Sequence, residues 1–215
     1  MTDEKRPYRK RRRAELEAQT RRRIAESAVE LYGTVGPSRT SFSAVADRAG
    51  VRRSTLYRHF PDEAALFAAC SAHWLAANPF PDLASWATIP HPDRRLAQAL
   101  EELYAYYRQT DQMLANLLRD EHTVPAVKQQ LRAFRDYLAA ARDILMRGRK
   151  LRGQARNRVP AATGHALAFP TWRSLTHEQG LDDHQAVELM CALVGASSYS
   201  DRHRSRPRAR SAADR

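Results

Sequence analysis

Apolar residues along this chain recur three and four positions apart and never in sustained alternation, so the elements the pattern predicts are helices. A first helix is expected over residues 14–32, with Leu16, Ile24, Ala28 and Leu31 as its inner stripe and Gly33 and Gly36 ending it. Thr40 and Ser41 then offer hydroxyls ahead of a second helix, Ser43 to Ala49, and Arg53 to His59 forms a third. Pro61, Asp62 and Glu63 suit the opening of a fourth helix that reaches Ala77, because proline is tolerated in a first turn and acids complement the positive helix end. Pro79, Pro81, Pro90 and Pro92 forbid a continuous helix over 78–92, which is expected to be a connection, either a hinge or a pocket rim.

Leu96, Leu100, Leu103 and Tyr107 share one helical face and predict a helix from Asp93 to about Thr110, followed by a short one from Gln112 to Arg119. The same spacing through Val127, Leu131, Phe134, Leu138, Ala141 and Leu145 predicts a long helix over 125–146. Gly148, Gly153 and the Arg/Asn-rich stretch to Val159 read as a loop. Two last helices, 160–177 and 182–199, flank Gly180 and form a hairpin. The expected fold class is all-α.

Charge changes this picture only once it is divided along the chain. The net +12 is uneven: residues 1–60 hold 15 Lys/Arg against 7 Asp/Glu, residues 61–200 hold 15 against 15, and residues 201–215 hold 6 against 2. A basic front therefore points to a polyanion, with nucleic acid the economical partner. The run Lys5, Arg6, Arg9, Lys10, Arg11, Arg12 and Arg13 has no apolar face to insert into a membrane. The expected organisation is a disordered basic arm over 1–13, a helix-turn-helix head over 14–61, a helical ligand-binding and dimerisation domain over 62–200, and a disordered Arg-rich tail over 201–215.

The start MTDEKRPYRKRRR lacks a signal peptide's apolar segment, and no run of about 18 apolar residues occurs, so a cytoplasmic protein with no membrane partner is expected. Enzymatic chemistry finds no support. There is no glycine-rich phosphate loop and no H-E-x-x-H, the histidines are scattered, and Cys70 and Cys191 have no metal-ligand spacing and read as buried small hydrophobes. The pairs Glu101-Glu102 and Asp182-Asp183 are adjacent, so on a helix they diverge by about 100° and cannot converge on one substrate. No catalytic residue, cofactor or metal is expected.

The most specific stretch is Val45 to Phe60, two short helical segments around Gly50, where a turn needs positive φ. Ala46, Ala49, Val51 and Leu56 supply inner faces, which leaves Arg52, Arg53, Ser54, Thr55, Tyr57, Arg58 and His59 to face outward. Guanidinium groups, hydroxyls and a phenol suit phosphates and major-groove base edges. Arg53 and Thr55, with Arg58 close behind, are the candidates for base reading.

The order A-x-x-A-G-V-x-x-x-x-L-Y-x-H-F, with Ile24, Ala28 and Leu31 before it and Leu66 and Phe67 after it, resembles the TetR/AcrR family of bacterial transcription regulators over residues 20–75. Two positions depart from the family's pattern: Arg52 stands where a capping serine is usual, and Glu63 where a phosphate-binding lysine is frequent. Arg52 cannot accept the capping bond, so either Ser54 caps a later start or Arg52 exchanges capping for phosphate contact.

The resemblance implies a homodimeric, ligand-responsive repressor bound to a palindromic double-stranded DNA operator, with a small-molecule effector of unidentified chemistry. It implies DNA contacts from Thr40, Ser41, Ser43, Arg52, Arg53, Ser54, Thr55, Tyr57, Arg58 and His59, with the Tyr57 hydroxyl on phosphate. Effector contacts are expected among Trp74, Trp86, Tyr104, Tyr107, His122, Phe134, Tyr137, His165 and Trp172. The terminal hairpin is implied as the dimer interface, through Gly164, Ala168, Trp172, Leu175, Ala186, Leu189, Met190 and Leu193. Residues 61–77 are the expected coupling element. The rival reading is a helical protein whose basic head binds RNA or an acidic protein partner.

Overall fold

The structure, a computed structural model, describes residues 5–198, and among these it contains helices and no strand. In chain order the helices are α1 (Lys5–Thr34), α2 (Phe42–Arg48), α3 (Arg53–His59), α4 (Glu63–Ala77), α5 (Leu83–Ala87), α6 (Pro92–Asp120), α7 (Pro125–Met146), α8 (Ala155–Leu167), α9 (Phe169–Arg173) and α10 (Asp183–Ser197). A 3₁₀ turn, Pro37–Arg39, precedes α2, and a π-helical turn, Ser174–Glu178, follows α9. The described residues divide into two compact units, one of residues 5–82 and 103–139, the other of 83–102 and 140–198.

Within the first unit α1 packs on α2 and α4, and α2 on α3. Its core gathers Ile24, Ala28, Val45, Leu56, Phe60 and Leu66, each almost wholly shielded from solvent. In the second unit α8 packs on α10 around Val159, Ala166, Ala186 and Val194. The side chain of Trp86 is fully buried there and donates to Glu102 at 2.8 Å, while Trp172 donates to Asp183 at 2.9 Å. The residues expected as an open 78–92 connection thus include the helix α5, seated by Trp86.

Four boundaries differ from the sequence expectation. Helix α1 is continuous from Lys5, so the basic stretch 5–13 is helical and not a disordered arm. Lys and Arg are good helix formers, and Arg11–Glu15 at 3.0 Å and Arg13–Glu17 at 3.1 Å add two exposed pairs worth a few tenths of a kcal/mol each. The two helices expected at 93–110 and 112–119 are one, because the Thr110 hydroxyl bonds back to the Tyr106 carbonyl at 2.7 Å and Met113 and Leu114 prolong the apolar face.

At the C-terminal side α8 starts at Ala155 and holds Pro160 inside it, so the loop expected to reach Val159 is shorter. The expected helix 160–177 is broken at Ala168, which is extended (φ −75°, ψ 130°) just ahead of Phe169-Pro170. Proline has no N–H to continue the ladder and its ring crowds the preceding turn. Cys70 is buried as expected, whereas Cys191 is only half-buried. The expected tail, 201–215, lies outside the described residues.

Candidate nucleic-acid interface and the cleft beside it

Local chemistry builds the turn between α2 and α3. Ser41 caps α2 by accepting the Ala44 N–H at 3.1 Å. At the other end Gly50 takes φ 62°, the Gly50 N–H reaches Asp47 O at 3.1 Å, and the Val51 N–H reaches Ala46 O at 3.0 Å. This is the paired-bond closure that ends a helix on a left-handed glycine, and it redirects the chain into α3 within three residues.

Helix α3 starts at Arg53 with Arg52 in the cap position, and no side chain caps it. Ser54 therefore does not cap a later start. Leu56 and Phe60, both fully buried, anchor α3 to the head, while Arg52, Arg53, Ser54, Tyr57 and Arg58 are exposed and Thr55 is half-buried. Three residues on from Leu56, His59 turns toward the head as well and is half-buried.

Tyr57 keeps 43% of its surface and stacks obliquely on Phe42, ring centres 5.2 Å apart. The Arg53 guanidinium lies 5.6 Å from the Tyr57 ring centre and donates to its hydroxyl at 3.3 Å, so both side chains are held together on one exposed surface. His59 differs from the sequence expectation. Its Nε2 is enclosed without a hydrogen-bond partner, and burial, then Arg58 and Arg21, holds its pKa below the ordinary 6.5. A neutral, partly enclosed imidazole is poorly suited to phosphate.

Thr40 is half-buried and its hydroxyl is engaged by Gly36 O at 2.8 Å. Ser43 is half-buried and Ser41 exposed. The sequence reading missed Arg21, whose guanidinium sits 4.2 Å from the Phe60 ring centre and donates to the His59 carbonyl, closing the C-terminal end of α3. Arg48 pairs with Glu30 at 2.6 Å and ties α2 to α1.

Also missed was a polar clamp from the C-terminal end of α6 onto the link between α1 and α2. Asn116 donates to Tyr32 O and Gly33 O, both at 2.9 Å, and Arg119 donates to Val35 O at 3.1 Å. Asp120 accepts the Ser38 N–H at 2.9 Å and pairs with Arg119 at 2.8 Å. Burial pushes the Asp120 carboxyl up, but the bonds from Arg119 and Ser38 outweigh it and hold the pKa below its ordinary 3.8. No sequence signal marked this clamp, because α6 is amphipathic and carries polar residues along its whole length.

A cleft opens among α1, α4, α6 and α7, all within the first unit. Of the expected effector residues, Trp74 and Phe134 line it. Tyr137 stacks at 4.6 Å on Phe80, which does line it, and donates to Pro81 O at 3.0 Å. Tyr104 and Tyr107 are fully buried core rings, His122 is exposed in the α6–α7 turn, and Trp86, His165 and Trp172 belong to the second unit, where His165 is exposed beside Thr171. Lining residues the sequence reading did not single out include Tyr32, Phe67, Phe80, Tyr106 and Met113. Of the expected dimer residues, Leu189 and Leu193 are exposed, Gly164, Ala168 and Leu175 half-buried, and Trp172, Ala186 and Met190 buried within their own chain.

A glycine-turned helix pair presenting arginines, hydroxyls and a phenol is a helix-turn-helix, the arrangement that DNA-binding proteins place in the major groove. Residues 24–70 match the model of the bacterial regulatory proteins of the tetR family. The fold is that of solved tetR-type regulators: one from Rhodococcus sp. RHA1 (20% identity, TM-score 0.59, covering 82% of this chain and 93% of that one) and one from Haloarcula marismortui (13%, 0.53, 84% and 97%). It is likewise that of NalD, the secondary repressor of the MexAB-OprM multidrug efflux pump in Pseudomonas aeruginosa (18%, 0.56, 85% and 97%). No protein of curated function matches the sequence. The match to the family model thus falls on the segment that holds α2 and α3, and the all-helical fold is shared with such regulators.

Proposed function

We propose that this protein is a ligand-responsive repressor that acts as a homodimer on a palindromic operator. The observation that carries the reading is α3 with its two cap residues: Leu56 and Phe60 hold it while Arg52, Arg53, Ser54, Tyr57 and Arg58 stay exposed. In this reading Arg53, Thr55 and Arg58 read bases, and Arg52, Ser54, Tyr57, Thr40, Ser41 and Ser43 contact or frame the phosphates.

The dimer would form through α8 and α10, with Leu189 and Leu193 one turn apart on an exposed face. Trp172, Ala186 and Met190 would support that face from beneath. The effector would enter the cleft of the first unit, whose walls include α1 and α4, both packed in the head. Occupancy would lower DNA affinity only if the two states of the head bind effector differently.

Selection of bound fragments from a random duplex pool tests the reading. The expected result is enrichment of two inverted half-sites about one helical turn apart, bound by two chains, with affinity falling steeply with salt. Absence of any enriched sequence, or a flat salt response, would contradict it.

A further inference from the structure

Among the described residues, the lining of the cleft contains no Asp, Glu, Lys, Arg or His. Its walls are aromatic and aliphatic, with Val29 and Tyr32 from α1, Phe67 and Trp74 from α4, Met113 from α6 and Phe134 from α7. Polar groups are few. Gln130 and Ser71 supply neutral hydrogen-bonding atoms, and Cys70 turns its thiol to the Ala25 carbonyl at 3.5 Å. Burial pushes that thiol up to about 12, so at neutral pH it offers neither a thiolate charge nor a nucleophile.

An ionised ligand entering here would lose hydration with nothing of opposite charge to replace it. A neutral ring system loses little hydration and gains contact with the aromatic walls. Resting on the reading of this cleft as the effector site, we infer that its ligand class is uncharged, largely apolar, ring-bearing molecules, and that carboxylates, phosphates and ammonium compounds are excluded. Tyr32 and Phe67, whose ring centres are 5.2 Å apart, form the wall shared by α1 and α4, so such a ligand lies directly against the helix pair that carries the head.

Two fluorescent probes with the same ring system separate the classes: uncharged N-phenyl-1-naphthylamine and its sulfonate, 1-anilinonaphthalene-8-sulfonate. The full-length protein is expected to bind the uncharged probe at one site per chain, at least about tenfold tighter than the sulfonate and with no dependence on salt. Gln130→Arg places a cation on the wall and is expected to strengthen sulfonate binding about tenfold, while Gln130→Glu does not. Equal affinities for the two probes, or a ratio unmoved by a folded Gln130→Arg protein, would overturn the inference; should that variant not fold, the ratio in the unmodified protein decides. Operator binding is measured on the same ligand-free preparation. Retained operator binding without a probe preference defeats this inference alone, whereas loss of specific DNA binding defeats the regulator reading alone.

Discussion

Arg95 is buried, and its guanidinium meets backbone: Nε donates to Ile89 O at 2.9 Å, Nη1 to Ile144 O at 2.9 Å and Arg147 O at 2.8 Å, and Nη2 to Pro90 O at 3.2 Å. Ile144 and Arg147 end α7, where carbonyls lack helical partners and carry partial negative charge, so one cation satisfies four acceptors and the helix end together. Arg95→Ala strands the buried Ile144 carbonyl and three part-buried ones and is expected to cost about 3 kcal/mol, read as a lower urea midpoint with an unchanged slope. At His59 the sign of the pH effect follows from its depressed pKa. Below pH 6.5 the unfolded chain takes up protons that the folded chain refuses, so the contribution present above 6.5 is lost as pH falls toward the lower folded value. Thermal midpoints between pH 8 and pH 5 should therefore decline less in His59→Gln than in the unmodified protein.

At the scale of elements, the helix-turn-helix was legible because its determinants are local: a capping Ser41, a left-handed Gly50 and apolar residues spaced for two short faces. Helix ends that depend on tertiary contacts were not legible. Nothing in Thr110-Asp111 announces whether a helix stops or continues, and the continuous α6 is decided by Met113 and Leu114 finding a core. The clamp on the α1–α2 link was equally hidden, since Asp120 and Ser38 are 82 positions apart in sequence. Gly36 reveals how tight that clamp is: it takes φ 96°, and a Cβ there would run into the Arg119 guanidinium and lie 2.7 Å from Asp120 Oδ2. Gly36→Ala is expected to cost about 2 kcal/mol from backbone strain, with a further loss from the broken Arg119–Asp120 contacts. Amide exchange should speed up in residues 33–40 more than in α8 and α10, and uniform acceleration across all helices would contradict a local role for the clamp.

At the scale of the whole molecule, charge division foretold the basic head better than where each basic residue would sit. Arg48 is spent on Glu30, Arg21 on the end of α3, and Arg11 and Arg13 on neighbouring glutamates, so a count of cations overstates those available to phosphate. The effector candidates were less legible for a related reason: a large aromatic has the same helical spacing whether it fills a core or lines a cleft. Trp86 and Trp172 spend their N–H groups on Glu102 and Asp183, while Trp74 lines the cleft. In the proposed dimer, Leu193→Glu would place a charge on the exposed α10 face and is expected to yield monomers by sedimentation, with the helical content unchanged.

The central claim is that α3 reads base sequence through side chains its anchors leave exposed, and comparison of Arg53→Ala with Tyr57→Phe by fluorescence anisotropy, on selected operator and on random duplex, tests it most directly. Arg53→Ala should weaken operator binding by about 1–3 kcal/mol more than it weakens random-duplex binding, while Tyr57→Phe should weaken both alike. Equal losses on the two DNAs for Arg53→Ala would contradict base reading by this residue, and no loss for either variant would remove α3 from the interface.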